Sequence, residues 1–407
     1  MTPHKASATV FPEPLVRAEA LSEELVRLRR SFHAHPEMAF QEKRTANEIA
    51  KTLKSWGIDR VRTAVGKTGV FADIGPETGR LIALRADMDA LPIQEEKSRE
   101  YASTVAQVMH ACGHDAHIAM TLGAARLLHD RHREKALPGR VRVLFQPAEE
   151  HQDAEGLSGA PRMIEDGVLA GVDAILGLHV DSTRPLGYVR VQSGSYSAAV
   201  DTFQATILAQ GGHGAYPHDG RDPLWMLIPV LSALHGIVSR RINPLEPAVV
   251  SLGQIHGGTA SNILPAEVQL EGTLRSFSPK VRETLIEEVR AALALTRCLG
   301  GDFRLHVQRG YPSTRNDPGM TGFLEEVLGD LIEPTLIHHE SMGMGGEDFS
   351  YYCEKVPGVF AMIGAAINDG KLRPHHTPIF DVDERVLPLG AAIMAEAALR
   401  FLTRPPA

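Results

Sequence analysis

The chain has 407 residues, of which 43% are hydrophobic and 23% are charged, and its formal net charge is −8. This length allows two domains with full cores, and the composition is that of a globular protein. The negative charge, without a Lys/Arg block, argues against nucleic-acid binding. The three cysteines are too far apart in sequence for a disulfide framework, and neither a signal-peptide pattern nor an apolar run of roughly 18 residues occurs. We therefore expect a soluble cytoplasmic protein that does not bind membranes.

The first half of the chain alternates helical and strand patterns. Apolar residues repeat at helical spacing in three segments, residues 15–30, 43–56 and 116–130. Short apolar runs predict strands within residues 70–75, 81–87, 140–150 and 173–180. Continuous apolar strands that alternate with helices indicate a mostly parallel sheet in an α/β domain.

The pattern changes after about residue 193. It then predicts strand, helix, strand, strand, helix and strand over residues 200–208, 223–241, 248–255, 266–276, 279–299 and 303–309. This order is typical of a ferredoxin-like split unit. After about residue 311 the α/β character returns, with a helix near Phe323 and an apolar strand at residues 359–365. We predict that residues 1–192 and 306–407 form one discontinuous domain and that residues 193–305 form an α+β domain inserted into it.

The most informative segment is VMHACGHDAHIAM, residues 108–120. Residues two apart in an extended segment point to the same side, so Cys112 and His114 can converge on one point. A thiolate beside an imidazole suits a divalent metal such as zinc. A lone Cys-x-His pair is better interpreted as a buried thiol and a helix-flanking histidine, so residues elsewhere in the chain must decide.

Acidic and imidazole side chains follow the predicted parallel strands. In open α/β sheets, ligands bind beyond the carboxyl ends of the strands. The residues found at those ends are Asp87, Asp89, Glu149, Glu150 and His179, together with His375 and His376 in the loop after the last strand. Each alone suits a solvated loop or a helix cap, but together they indicate a metal site shared with Cys112 and His114.

Glu149 and Glu150 are neighbours, and neighbouring residues at a strand end tend to point in different directions. One carboxylate can therefore bind a metal while the other faces the metal's water as a general base. The alternative is a charged helix start, where acids interact favourably with the helix dipole. The turn-like QPA that precedes the pair favours the catalytic interpretation.

Nine motifs in order resemble the metal-dependent aminoacylase and carboxypeptidase-like amidohydrolases, in the branch with hippurate hydrolase, auxin-conjugate hydrolase and N-acetyl-diaminopimelate deacetylase. They cover nearly the whole chain and read HAHPEMAFQE, LRADMDALPIQEE, MHACGHDAHIAM, QPAEE, GLHV, GGHGAYPH, GGTASNILPAEVQLEGTLRSF, GGEDFSYY and HHTPIFD. The resemblance implies a metallopeptidase-like α/β catalytic domain with an inserted ferredoxin-like lid or dimerisation domain.

The resemblance also implies site residues. One or two divalent ions per subunit, with zinc favoured over manganese, cobalt or nickel, would be bound by Cys112, His114, Glu150, His179 and His376. Glu149 would be the general acid and base. Asp89 is expected to orient a ligand rather than to bind metal itself.

In the inserted domain, His213 resembles a histidine that crosses from a partner subunit to stabilise the oxyanion. Asn262 and Arg275 resemble residues that bind the substrate's carboxylate, and an Arg fork suits bidentate carboxylate binding. The alternatives are a turn histidine for His213 and a cross-strand ion pair for Arg275. A homodimer or homotetramer is expected.

These residues predict hydrolysis of the amide bond in N-acyl amino acids, a small-molecule substrate class. The alternatives are a dipeptidase or carboxypeptidase on the same scaffold, and a catalytically silent metal-binding homologue. A serine hydrolase is disfavoured because the sequence has no G-x-S-x-G motif. A nucleotide-dependent oxidoreductase is disfavoured because the glycine-rich run MGMGGED ends in acids.

Overall fold

The computed structural model describes residues 12–97 and 99–404. In this part of the chain the α-helices are α1 Glu13–Glu19, α2 Ser22–Ala34, α3 Lys43–Ser55, α4 His114–Arg133, α5 Gly159–Glu165, α6 Pro223–Arg241, α7 Pro279–Cys298, α8 Pro318–Leu331, α9 Ser350–Cys353 and α10 Val386–Thr403. The strands are β1 Val61–Val65, β2 Gly69–Ile74, β3 Leu81–Asp87, β4 Arg140–Gln146, β5 Ala174–Pro185, β6 Val189–Arg190, β7 Gly194–Ser195, β8 Ala199–Leu208, β9 Gly212–His213, β10 Ala248–Gly257, β11 Ile263–Leu264, β12 Glu267–Ser276, β13 Asp302–Arg309, β14 Arg315–Asn316, β15 Ile337–His338 and β16 Gly358–Ala366.

The chain divides into two compact units. Unit 1 comprises Met1–Gly194, Arg315–Ser341 and Tyr351–Ala407, and unit 2 comprises Ser195–Thr314 and Met342–Ser350. The predicted boundary between residues 305 and 306 falls inside β13, all of which belongs to unit 2. The physical reason is that β13 pairs with β8 along its whole length, from Asp302 opposite Leu208 to Arg309 opposite Asp201.

Unit 1 is built on an eight-stranded sheet in the order β1-β2-β4-β3-β5-β16-β6-β15. Its four central strands, β4, β3, β5 and β16, are parallel, and β1 and β2 add antiparallel strands at one edge. Every residue of β3 is buried, as expected for a strand covered on both faces. Helices α4 and α10 pack against each other and against this sheet. The predicted mostly parallel α/β fold class is therefore confirmed.

Unit 2 contains an antiparallel sheet in the order β10-β12-β8-β13, with α6 and α7 completing the strand–helix–strand–strand–helix–strand sequence. Side chains of β12 alternate between buried and exposed positions, and Val268, Leu270 and Leu274 belong to the unit's apolar core. One face of α6 and one face of α7 complete that core. The predicted ferredoxin-like architecture of the insert is observed.

Two sequence predictions need correction. Residues 15–30 are not one helix, because α1 and α2 are separated by a turn at Ala20 and Leu21, which allows α1 to pack on α10 while α2 packs on α4. His179 does not end its strand, because β5 continues to Pro185. In β5, His179 lies opposite Met362 of β16, and the pairing of these two strands extends beyond it.

Helices α6 and α10 are long and apolar enough to cross a membrane by length and composition alone. Most of α10 is buried in the core of unit 1, and α6 buries Met226, Val230 and Leu234 in the core of unit 2. Core helices of soluble proteins pass the same test, so these two helices are weak evidence for a membrane protein.

Candidate metal centre

Unit 1 brings the five predicted metal ligands into two overlapping groups. The ligand atoms of Cys112, His114 and His179 lie within 4.8 Å of one another, and so do those of Cys112, Glu150 and His376. Cys112 is common to both groups. The sequence places these residues in segments up to 264 positions apart, and the sheet's topology gathers them in one place.

The glycine between Cys112 and His114 has a steric role. Gly113 caps the N-terminus of α4 with φ +89°, a left-handed conformation that favours glycine. A Cβ on Gly113 would lie 2.4 Å from Val180 Cγ2. The tight turn places Cys112 before the helix and His114 on its first turn, with Cys112 Sγ 3.4 Å from His179 Nε2.

On the other side of Cys112, His376 Nε2 lies 3.2 Å from Glu150 Oε1. His376 has φ +60°, and its backbone N–H donates to the carbonyl of Ala111 at 2.9 Å. This conformation is uncommon for a residue other than glycine and recurs at functional sites. The ring centroid of its neighbour His375 lies 5.3 Å from that of His179, and His375 Nε2 accepts from the N–H of Ser182 at 3.5 Å. The ligand atom of His376 is the one that groups with those of Cys112 and Glu150.

Hydrogen bonds behind the cluster orient the imidazoles. His114 Nδ1 donates to the carbonyl of Asp89 at 2.9 Å, and His179 Nδ1 donates to that of Val180 at 2.8 Å. Both rings therefore turn Nε2 towards the cluster, the arrangement usual for metal-binding histidines. His114 Nε2 is buried and has no hydrogen-bond partner among the described residues, which is costly unless the atom binds something. The carboxylate of Asp89 also accepts from the N–H of Glu150 at 3.0 Å.

The electrostatics of the cluster suit a cation. Burial and the charge of Glu150 raise the pKa of the Cys112 thiol. Burial alone would lower the pKa of His114, yet Asp87 and other carboxylates raise it to about 10. Burial lowers the pKa of His179 well below its usual value, so this ring stays neutral. The Cys112 thiol, the Glu150 carboxylate and the imidazoles of three histidines form a donor set that fits a divalent metal, and the raised pKa of His114 shows that the surrounding carboxylates favour a positive charge there.

Asp87 lies behind this cluster and accepts hydrogen bonds from His117 and Arg85. His117 Nδ1 donates to Asp87 at 2.6 Å, and His117 Nε2 accepts from the N–H of Val180 at 2.9 Å. Arg85 donates to the other oxygen of Asp87 at 2.6 Å. Both nitrogens of His117 are thereby used in hydrogen bonds, and Asp87, His114 and His117 form a further group whose ligand atoms lie within 4.8 Å of one another.

The sequence patterns did not predict a buried ionic network that lies behind α4. Arg29 of α2 is fully buried and donates to Asp115 at 2.9 Å and to Asp381 at 2.7 Å. His33, one turn along α2, donates to Asp115 at 2.8 Å. Asp115 follows His114, and Asp381 lies in the loop after His376, so Arg29 joins two ligand-bearing segments. The available signal was an Arg and a His among the buried apolar positions of one amphipathic helix.

Unit 2 carries the remaining candidate residues, and it does not bring all of them together. His213 in β9 pairs with Ile263 in β11, so it lies next to Asn262, whose carbonyl accepts from the N–H of Gly214. His213 and Asn262 are exposed. Arg275 lies eight residues along β12 from Glu267, or about 26 Å at the usual rise of a strand. Within one chain, Asn262 therefore lies near the start of β12 and Arg275 lies near its end.

Fold and donor set together define a metal-site hydrolase of the α/β metallopeptidase class. Residues 83–400 match the model of Peptidase family M20/M25/M40, and the chain belongs to this family. The predicted family and the predicted amide-cleaving, metal-dependent enzyme class are confirmed.

Individual relatives agree with this assignment. The chain is 40% identical to N-acetyl-L-cysteine deacetylase of Bacillus subtilis over 95% of this chain and 90% of that protein. It is 37% identical to thermostable carboxypeptidase 1 of Saccharolobus solfataricus over 93% and 95% of the two chains. A solved structure, the YXEP protein of Bacillus subtilis, described as a dinuclear metal binding peptidase, superposes with a TM-score of 0.81 at 35% identity, covering 95% of this chain and 99% of that one.

Proposed function

We propose that this protein hydrolyses the amide bond of N-acyl amino acids, releasing a carboxylic acid and a free amino acid. The observation that carries the proposal is the pair of overlapping donor groups that share Cys112 and lie beside Glu149. The similarity to a deacetylase of an N-acetyl amino acid supports the substrate class. We assign catalysis to unit 1 and a lid or dimerisation role to unit 2, in a cytoplasmic enzyme.

Cys112, His114, Glu150, His179 and His376 are the residues proposed to hold one or two divalent ions, with zinc favoured and manganese, cobalt or nickel as alternatives. When bound, such an ion polarises the scissile carbonyl and lowers the pKa of water to about 7.

We propose that Glu149 transfers a proton from the attacking water to the leaving amine. Its side chain is buried, and one of its oxygens lies within 4.8 Å of ligand atoms of His114 and Glu150. A carboxylate there can take the proton of the attacking water and later deliver it to the leaving amine. Because its neighbour Glu150 points to the donor cluster, the two adjacent acids can divide proton transfer and metal binding between them.

The substitution Glu149→Ala tests this role directly. We expect metal content to stay at the wild-type level while kcat for N-acetyl and N-benzoyl amino acids falls by at least about 10²-fold, as for loss of a general base. Glu155→Ala, which removes an exposed acid of the same loop, is the matched control. Near-normal turnover by Glu149→Ala would refute the assignment.

Unit 2 presents apolar side chains to solvent, and we propose that a second copy of this chain covers them. Leu224, Trp225 and Ile228 of α6 and Ile255 of the edge strand β10 are 41%, 53%, 66% and 43% exposed. Exposed aromatic and aliphatic clusters and unpaired strand edges are characteristic of subunit interfaces. A dimer would also bring Asn262 and Arg275 to the same substrate, because Asn262 could come from one copy and Arg275 from the other.

In such a dimer, His213 would stabilise the oxyanion from the partner chain, and Asn262 and Arg275 would bind the substrate's carboxylate. The test is Ile228→Glu, with Leu245→Glu, at an 88% exposed turn position, as the control. We expect a monomer in sedimentation analysis for Ile228→Glu alone, with a matching loss of activity. A fully active Ile228→Glu monomer would contradict the proposal.

A carboxypeptidase is the second candidate, and the similarity to a thermostable carboxypeptidase favours it. Both reactions cut an amide next to a free carboxylate, so the residues above serve either one. Metal-loaded protein should be tested with acetyl, benzoyl, long-chain acyl and indole-acetyl amino acids beside dipeptides and longer peptides. Higher kcat/KM for the peptides would favour the carboxypeptidase.

A further inference from the structure

The segment that carries Glu149 and Glu150 has an unusual backbone. It follows β4, and Ala148, the residue before Glu149, has φ +48°. This left-handed conformation is uncommon for a residue that is not glycine, and it persists only where the surroundings enforce it. What enforces it therefore also sets the directions in which the two acids leave the backbone.

Both polar backbone groups of Ala148 are held. Its N–H donates to Glu42 Oε1 at 2.9 Å, and its carbonyl accepts from the N–H of Gly159 at 2.9 Å. A Cβ on Gly159 would lie 1.6 Å from the carbonyl oxygen of Pro147, so the second contact requires glycine. With the contact from Asp89 to the N–H of Glu150, residues 148–150 are fixed at three points.

Glu42 is well suited to this holding role. It lies just before α3 and is fully buried. Its Oε1 also accepts from the N–H of Phe40 at 2.9 Å, and Phe40 is itself left-handed with φ +59°. Its Oε2 accepts from the hydroxyl of Thr68. One oxygen thus holds two strained residues, and one of these, Ala148, is 106 positions from Glu42 in the chain.

Burial of the Glu42 carboxyl carries a free-energy cost. Burial, with the nearby charge of Asp89, raises its pKa to about 7. A buried carboxyl is destabilising unless its hydrogen bonds are met, and here three donors meet them. The contacts that Glu42 makes with these donors therefore call for a specific explanation.

We propose that Glu42 is a positioning residue for the reaction, which acts by holding Ala148 in the left-handed conformation that orients Glu149 and Glu150. The consequence for Glu149 rests on the proposed function. The consequence for Glu150 concerns metal binding and can be measured without any substrate.

The test is a double-mutant cycle of Glu42→Leu and Ala148→Gly, with Glu42→Gln and Glu48→Leu alongside. Leucine removes the acceptor, whereas glutamine keeps an oxygen for both N–H groups and offers its amide to Thr68. Glycine at position 148 adopts positive φ without help from Glu42. Glu48→Leu is the same change six residues further along, within α3, at a residue that contacts Ser31. Each variant is measured for kcat, KM, zinc affinity by chelator competition, and thermal midpoint.

We expect Glu42→Leu to lower kcat about 10- to 100-fold with little change in KM, because small displacements of catalytic groups have such effects. Zinc affinity should fall about 10-fold, as for loss of a residue that orients a ligand. Ala148→Gly should restore much of both losses in the Glu42→Leu background and have a smaller effect alone. Glu42→Gln should stay within about threefold of wild type, since a neutral acceptor replaces a charged one.

Three outcomes would overturn the proposal. They are wild-type kcat and zinc affinity in folded Glu42→Leu, no rescue by Ala148→Gly beyond its effect in the wild type, and damage by Glu42→Gln as large as that by Glu42→Leu. If Glu42→Leu does not fold, the last comparison is made with Glu42→Gln alone, against Glu48→Leu. If the wild type cleaves no N-acyl amino acid, the proposed function fails, while zinc affinity across the cycle still decides the role of Glu42.

Discussion

The two units hold their candidate residues in opposite ways. In unit 1 the five proposed ligands form two groups that share Cys112, with the ligand atoms of each group within 4.8 Å of one another. Charges buried behind them, such as Arg29 and Asp115, hold their segments. In unit 2, His213 and Asn262 are exposed, and Arg275 stands at the far end of a strand. Unit 1 therefore resembles a preorganised centre, whereas the residues of unit 2 need a further surface to act on.

This difference predicts that substitutions in the two units will have different effects on stability and activity. Substitutions behind the cluster in unit 1 should reduce stability as well as activity, because they leave buried charges unpaired. Substitutions of the exposed residues in unit 2 should reduce activity alone, since exposed side chains contribute little to folding. The predictions below test this separation.

The largest effect is expected for Arg29→Met. It removes the guanidinium from the buried carboxylate of Asp115, which keeps His33, and from the largely buried one of Asp381, which keeps Arg99. Breaking a buried pair costs about 3–5 kcal/mol. The matched control is Arg27→Met, because Arg27 is exposed on the same helix and should change stability by less than about 0.5 kcal/mol. Urea unfolding of the metal-loaded protein measures both, and a loss below about 1 kcal/mol for Arg29→Met would show that the network does not hold unit 1 together.

His213→Ala should have the opposite signature. Loss of one oxyanion donor typically lowers kcat about 10²- to 10³-fold, or about 2.7–4 kcal/mol. The free energy of unfolding should stay within about 0.5 kcal/mol of wild type, because the ring is exposed. Steady-state kinetics and urea unfolding on the same sample check both. If kcat stays within about threefold, His213 is a turn histidine that bonds the N–H of Ala215 and no more.

The sequence predicted much of this organisation, because the residue types themselves carry it. Continuous apolar strands indicated the parallel sheet, the alternation in β12 indicated the antiparallel one, and Cys112 and His114 indicated a metal. Four of the predicted ligands lie together because the segments that follow parallel strands meet at one edge of the sheet, whereas His179 lies within β5.

Other features depend on contacts that no local pattern reports. Arg29 meets Asp115 across 86 positions, and Glu42 meets Ala148 across 106. The turn at Ala20 and Leu21 is fixed by which helices α1 and α2 pack on, and the extension of β5 past His179 is fixed by β16. Tertiary partners decide such features, so short-range periodicity cannot show them.

The smallest predicted effect concerns the pH dependence of unit 1's stability. The pKa of Glu42 is about 7 in the folded chain and near 4.5 when exposed, so the folded state binds the extra proton between these values. Its contribution to stability is therefore fully present below pH 4.5 and is lost as the pH rises through 7. At 1.36 kcal/mol per pKa unit, the shift corresponds to at most about 3 kcal/mol.

Glu42→Gln removes this titration while keeping the hydrogen-bond acceptor. Unfolding free energies of wild type and Glu42→Gln, measured from pH 5 to pH 8, should therefore diverge, with the variant gaining relative to wild type as the pH rises. The same series with Glu48→Gln should remain parallel to wild type, since Glu48 is only partly buried on α3. Parallel curves for Glu42→Gln would mean that the carboxyl ionises normally despite its burial. An ionised carboxylate in the interior of unit 1 would then cost no more stability than one at the surface of unit 2. The contrast between buried charges in unit 1 and exposed residues in unit 2 would lose its physical basis.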